Sequence, residues 1–460
     1  MNRRLLFLLV SALCLLLVTT TLYLGRDHLT QLPALRLPFP HKATPSTSST
    51  SNSEQIVATP TSLFAASTTA SVTASATASS TAITISNGTV LSGQRIAPYI
   101  AAILDPAVTE PPRLGCPALN ISRYDVLLQD QDPRRNTEDP QHIDYYFAID
   151  LRNCLALLPR LLGSIVEVVR FLGPERCALS IIEGNSPDGT ADVLTAIGPF
   201  LDRLNLTYFY NSSDINPAKG DRIHKLAALR NLALQPMFDN LDRVSENTTV
   251  LFLNDVAACP EDLLELALQR RALGADMTCA MDWIYVGNDP TFYDVWVART
   301  LAGDSFFEIP PDGNWNSAWN LFWNAPDTKS RYYDNLPFQV FSCWNGATAI
   351  GAAPLLEGLR FREKHGGKDG ECAQGEPQIF CKEMWFRGYR KIAVVPTVNL
   401  EYSDDKAEQI KRLKGFTSDL ARSPEEDNRI NWVLEPPEKV KCMPTWDNQF
   451  WRPWNETLRL

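Results

Sequence analysis

The chain lacks the marks of several common functional classes. Its 460 residues carry 43 Lys and Arg against 53 Asp and Glu, a formal net charge of −10, with a pI near 5.2. Wholesale nucleic-acid binding needs a basic footprint, so this balance argues against it. It leaves open the binding of a nucleotide through a bridging metal. No Gly-Lys-Ser/Thr follows a glycine-rich turn and no G-x-G-x-x-G loop is present, which removes two phosphate-cradling motifs. No Cys-x-x-Cys pair or Cys/His zinc spacing occurs, so the 10 cysteines point to disulfides. Beyond the N-terminal low-complexity stretch there is no internal repeat.

What is present begins with the compartment. Arg3 and Arg4 precede an uncharged run over 5–24. About 20 apolar residues span a bilayer, and arginines ahead of the span hold the N-terminus in the cytoplasm. A cleaved signal peptide would have a shorter apolar region and a better cleavage site than Thr19-Thr20-Thr21-Leu22-Tyr23. The expectation is a cytoplasmic tail (1–4), an uncleaved transmembrane signal anchor (5–24) and a lumenal remainder. Residues 33–92 are mostly Ser, Thr, Ala and Pro, too poor in large apolar side chains to offset their ordering entropy. They read as a flexible, disordered stem, assigned to 25–110. With Cys14 in the membrane run, an odd number of cysteines lies beyond it, so at least one thiol has no partner within the chain. N-x-S/T acceptors at Asn87, Asn120, Asn205, Asn211, Asn247 and Asn455 suit a secretory route.

From 111 to 460 the pattern is that of a folded domain. Strands are expected at 145–150, 177–183, 206–210, 250–253, 276–282 and 392–396. Helices are expected at 155–172, stopped by Gly173-Pro174, then at 191–204, at 222–235, ended by Pro236, and at 263–273. Such alternation indicates βαβ units in an α/β, doubly wound, mostly parallel sheet. After Tyr285 clear elements thin out, and 432–454 reads as a Trp-rich loop that wraps the domain.

The chemistry gathers at strand ends. Thr249-Val250-Leu251-Phe252-Leu253-Asn254-Asp255-Val256 is an apolar run that stops in a carboxylate. In open α/β sheets ligands sit at the carboxyl ends of strands, and Asp255 there suits a hard divalent cation. Capping the next helix is the competing use. The turn Glu183-Gly184-Asn185-Ser186-Pro187-Asp188-Gly189-Thr190 lies between a strand and a helix, where Glu183, Asn185 and Asp188 can meet a nucleotide. Arg222 and Lys225 are neighbours on one helix surface and suit a diphosphate. Arg230-Asn231 falls in an apolar stretch, and a buried Arg is rare unless paired.

Together these segments resemble the fungal family of α-1,3-mannosyltransferases and capsule-associated proteins related to the cryptococcal mannosyltransferase. The likeness also takes in Phe341-Ser342-Cys343-Trp344-Asn345-Gly346-Ala347, Gly375-Glu376-Pro377-Gln378 and Val394-Val395-Pro396-Thr397-Val398-Asn399-Leu400-Glu401-Tyr402. It covers roughly 140–405. The resemblance implies a type II Golgi membrane protein with a GT-A-like lumenal domain and a glycan acceptor. It further implies a GDP-mannose donor, Mn2+ or Mg2+ as cofactor, and retention of anomeric configuration. It makes Asp255 the metal-binding acid, in a triplet Asn254-Asp255-Val256 that holds one carboxylate. Asp282, tipping the next strand, is then a candidate for the missing acid, and Glu376 for a catalytic carboxylate. Trp344 and Asn345 would line the sugar site, ring to pyranose face and amide to hydroxyls. Asp294 and Arg299 read as surface charges. The alternative is a non-catalytic lumenal protein of the same fold that assists polysaccharide or capsule assembly; a carbohydrate-binding module, suggested by 11 Trp, is a third reading.

Overall fold

A computed structural model describes residues 83–129, 142–366, 370–422, 429–456 and 458. The expected tail, transmembrane span and stem up to residue 82 lie outside the described residues. Among the described residues no helix is long and apolar enough to cross a membrane.

One nine-stranded sheet runs in the order β3-β2-β1-β4-β8-β5-β9-β7, with β6 attached to β5. Its strands are β1 Tyr145–Leu151, β2 Cys177–Glu183, β3 Thr207–Ser212, β4 Thr249–Leu253, β5 Met277–Val286, β6 Asp289–Phe292, β7 Phe338–Gln339, β8 Ala347–Gly351 and β9 Ile392–Leu400. β1 pairs in parallel with β2 and β4, and β2 with β3. β8 is antiparallel to both neighbours, β4 and β5, while β5 and β9 are parallel again. The sheet is therefore mixed and mostly parallel. Register places Leu151 beside Glu183 and Leu253 beside Ala347, so the ends of β1, β2 and β4 and the start of β8 share one edge.

Strand alternation divides the core in two. Tyr145, Phe147 and Ile149 point to the face covered by α2 Leu158–Leu172 and α5 Pro260–Leu273. Tyr146, Ala148, Val250 and Phe252 point to the other, against α4 Arg222–Asp239. Both faces are buried, which is why these strands read as continuous apolar runs.

Three findings depart from the sequence reading. The folded part starts earlier than residue 111: α1 Gly93–Leu104 sits inside the expected stem, yet buries Ile96, Ile100 and Ile103 in the core. Asp192, in α3 Thr190–Arg203, clamps the chain just before it by accepting from the backbone N–H groups of Thr89, Val90 and Leu91 at 2.7–2.8 Å. Next, α4 runs through Pro236 to Asp239. Proline removes one N–H, and so near a helix end only one bond is lost. Last, the expected C-terminal loop contains an antiparallel hairpin, β10 Lys439–Thr445 and β11 Asn448–Pro453. Three disulfides, Cys116–Cys259, Cys279–Cys343 and Cys372–Cys442, tie outer segments to the sheet and the hairpin. Cys154, Cys177 and Cys381 are free and buried, in line with the odd count.

Candidate active site

The shared strand edge carries three joined hollows. The largest, about 650 Å³, is lined by Arg152, Gly184, Asn185, Asn216, Lys219, His224 and Lys225 among others. It shares Arg152 and Gly184 with a smaller one of about 170 Å³ that also touches Asp150, Arg222 and Asp255. Asp255 in turn borders a third, of about 330 Å³, with Asn153, Cys154, Tyr402, Ser403 and Asp405. Asp255 thus stands between a hollow with cations and one whose described lining has none. It does not cap α5: Cys259 occupies that position, and its backbone N–H donates to Asp262. Burial pushes the Asp255 carboxyl up from its ordinary range, opposed by Arg230 and Arg222. The Cys154 thiol is its side-chain neighbour, 3.9 Å from Oδ2.

Helix α4 delivers both kinds of cation. Asp221 caps it by accepting from the His224 N–H at 3.1 Å, which places Arg222 and Lys225 in the first turns, at the hollows. Two turns on, Arg230 is 6% exposed. Its Nε donates to Glu376 Oε1 at 2.8 Å, and Nη1 lies 3.9 Å from Asp150 Oδ1. Its guanidinium carbon rests 4.4 Å from the Trp344 ring centroid, with Phe252 and Phe361 beyond. Burial disfavours the guanidinium charge, but Asp150 and Glu376 outweigh it and raise the pKa. Burial raises Asp150 to about 6 despite Arg230, with Glu376 and Asp255 adding to the rise.

The remaining expected site residues divide. Asn185, Arg222, Lys225 and Asp255 border the hollows. Glu183 and Asp188 do not; both brace their own turn. Glu183 accepts from the N–H groups of Asn185 and Ser186, and Asp188 accepts from Thr190 and from the Leu155 N–H. Asn231 clasps the backbone of Phe361 from both ends of its amide. Trp344 and Asn345 are buried, 1% and 0% exposed. The Trp344 face meets Arg230 rather than a cleft, and the Asn345 amide donates to Ala280 O at 2.8 Å. Asn345 itself has φ 55° and Gly346 φ 84°. A side chain at Gly346 would press on Asp282 and Val256 at 3.2 Å, so the turn into β8 requires glycine there.

Glu376, at the start of α7 Glu376–Phe386 (α6 is Pro326–Tyr333), is 2% exposed and held by Arg230. Asp282 is 1% exposed and accepts from the Tyr402 hydroxyl at 2.6 Å. Burial, then Asp294, lift its carboxyl well above the usual range. Neither acid borders the three hollows; Glu376 meets Arg230, and Asp282 meets Tyr402, which lines the third hollow. Asp294 and Arg299 are not surface charges. Asp294 is half-buried and accepts from the Asn345 N–H at 2.9 Å; Arg299 is fully buried and donates to the carbonyls of Val295, Ala298 and Lys441. Reading the sequence missed Asp150, Arg152 and Lys219. Asp150 carried the same signal as Asp255, an acid closing an apolar strand.

Among the described residues no three His, Cys, Asp or Glu side chains form a group able to hold a metal. Among the described residues, then, these side chains build no all-protein cage. One half-buried carboxylate at the rim of a cation-lined hollow instead fits an ion whose other ligands are substrate oxygens and water.

A sheet edge of this kind, with acids and arginines around joined clefts, is where open α/β sheets receive ligands. Residues 144–383 match the family described as Cryptococcal mannosyltransferase 1. The α-1,3-mannosyltransferase of Cryptococcus neoformans var. neoformans serotype D is 35% identical over 342 residues, covering 68% of this chain and 72% of that one. The chain belongs to this mannosyltransferase family and is a glycosyltransferase. Among solved structures, a Pyrobaculum calidifontis mannosyltransferase in complex with GDP-Man and Mn2+ aligns at TM-score 0.33 and 14% identity, over 62% of this chain and 63% of that one. GalNAc-T7 with UDP, GalNAc and Mn2+ aligns at TM-score 0.35 and 13% identity, over 64% and 54%. Likeness at that level carries no functional argument.

Proposed function

We propose that this chain is a metal-dependent mannosyltransferase with a GT-A-like domain, moving mannose from GDP-mannose to a glycan acceptor in an α-1,3 linkage. It works on the lumenal side of the Golgi membrane, anchored by the single span 5–24 as a type II protein. The observation that carries the reading is the meeting of Arg222 and Asp255 in one small hollow that opens into a larger cationic one, in a chain of this family.

Breaking the anomeric bond leaves a diphosphate whose negative charge grows as the sugar departs. Arg152, Arg222 and Lys225 supply positive charge beside the place where it develops. Asp255 would hold the divalent cation, which when bound acts as a Lewis acid on phosphate oxygens. The Glu376–Arg230–Asp150 chain positions the floor below. The third hollow, with Asn153, Ser403, Asp405 and Asp255 and no described cation in its lining, suits a neutral, hydroxyl-bearing acceptor. Carboxylates such as those lining it can take the proton of an acceptor hydroxyl.

Full-length protein in detergent, given GDP-mannose and a mannoside with and without Mn2+, tests this. Metal-dependent transfer is expected, and Asp255→Ala should lower kcat/KM by roughly a hundredfold or more with the melting temperature kept. Turnover that survives Asp255→Ala would end the assignment of that carboxylate. No turnover of any sugar nucleotide would favour the non-catalytic assembly protein.

A further inference from the structure

The path of the sheet ends in two strands that are guarded differently. At one end β7 is only two residues, Phe338–Gln339. Gln339 grips the chain at Val433: its Nε2 donates to Val433 O and its Oε1 accepts from the Val433 N–H, each at 2.8 Å. At the other end β3 runs for six residues, Thr207–Ser212. The Ser213 N–H donates to Glu183 O at 2.8 Å, across to β2. Backbone groups alternate in direction along a strand, so Tyr208, Tyr210 and Ser212 turn theirs away from β2. Among the described residues no strand pairs with them.

An open edge strand is a template for another chain, and proteins blunt it with charge, proline, a bulge or a very short strand. β3 has none of these. Thr207-Tyr208-Phe209-Tyr210-Asn211-Ser212 holds no charged residue and no proline. Its pairing with β2 runs without a register shift, and its aromatic run favours strand pairing. What it does have is an N-x-S/T acceptor at each end, Asn205-Leu206-Thr207 and Asn211-Ser212-Ser213. Both asparagines are exposed. Asn205 lies in the turn between α3 and β3, at φ 62°, and Asn211 lies beyond the stacked Tyr208 and Tyr210 rings. A bulky group at either one displaces no core side chain.

We propose that Asn205 and Asn211 carry N-linked oligosaccharides, which keep the β3 edge from pairing with a second copy of this chain. In each attachment Nδ2 forms a bond to the anomeric carbon of the oligosaccharide. The bond from that carbon to a lipid-linked diphosphate breaks, the diphosphate leaves, and Nδ2 gives up one proton. This rests on the lumenal placement proposed above and not on the catalytic reading.

The test uses full-length protein made in a eukaryotic host and held in detergent. Glycopeptide mass spectrometry reads occupancy, light scattering reads molar mass, and hydrogen exchange reads the protection of 206–213. Both asparagines are occupied in wild type. Asn205→Gln combined with Asn211→Gln raises the mass about twofold or more over wild type at equal concentration. Exchange across 206–213 slows about tenfold or more as the edge pairs. Wild type trimmed by an endoglycosidase after folding shifts the same way, so it carries the test should the double variant not fold. Either asparagine left bare beside occupied acceptors elsewhere overturns the proposal alone. So does a stripped chain that keeps the wild-type mass, or one that associates without protecting 206–213. A chain with no occupied acceptor at all overturns it together with the lumenal placement.

Discussion

Two stretches of α4 carry cations and use them in opposite ways. At its start Arg222 is exposed and Lys225 half-exposed. Lys225 bonds only backbone carbonyls, those of Asn216 and Lys219. These charges keep their water and lie open to an incoming anion. Two turns later Arg230 is desolvated, sandwiched on Trp344 and matched by Glu376 and Asp150. The first pair can follow a ligand; the second cation sets the floor on which ligands are read. Charge near a site is therefore not one property. Burial decides whether it serves binding or architecture.

The contrast is sharpest on deleting Arg230. Arg230→Met removes the partner of two acids, Glu376 at 2% exposed among them, and should cost about 3–5 kcal/mol in urea unfolding. A loss under roughly 1 kcal/mol would show that the buried group is no more than a surface pair. Asp150 gives an intermediate effect. Its carboxyl holds a proton up to about pH 6 in the folded chain, against an ordinary value of 3.8. The folded state therefore binds more protons between those values, and stability falls as pH rises through that window. Asp150→Asn should flatten the fall, by on the order of 1–2 kcal/mol between pH 4 and 7 without metal. Parallel curves for wild type and variant would remove Asp150 as its source. The smallest effect is expected at the exposed end. Lys225→Ala should raise KM for GDP-mannose by only a few-fold, and the difference should shrink as salt is raised. A larger, salt-insensitive loss would move Lys225 into the same category as Arg230.

Much of the site was legible as strand ends. Asp255 followed from an acid closing an apolar run, and the same logic applied to Tyr145–Leu151 would have found Asp150. The turn at 183–190 was placed correctly, between a strand and a helix. Its acids bond their own turn in the fold, and Glu183 and Asp188 read alike in sequence whether they meet a ligand or backbone N–H groups. Trp344 poses a related ambiguity, and its face packs on Arg230. An indole suits a sugar face and a buried guanidinium equally well, and only packing tells which one arrives.

Alternation of apolar runs and turns by itself determined the parallel half of the sheet, since strands buried on both faces must be apolar throughout. Charge, placed after such runs and along one helix, pointed to where an anion would be met. Only the tertiary structure decided that β8 would enter antiparallel between β4 and β5, that Arg230 would find Glu376, 146 residues away in sequence, and that Trp344 would reach Asn254, 90 residues away. Hydrogen bonds and ion pairs act over about 3 Å, and no local pattern of residue types records which distant partners the fold will bring that close.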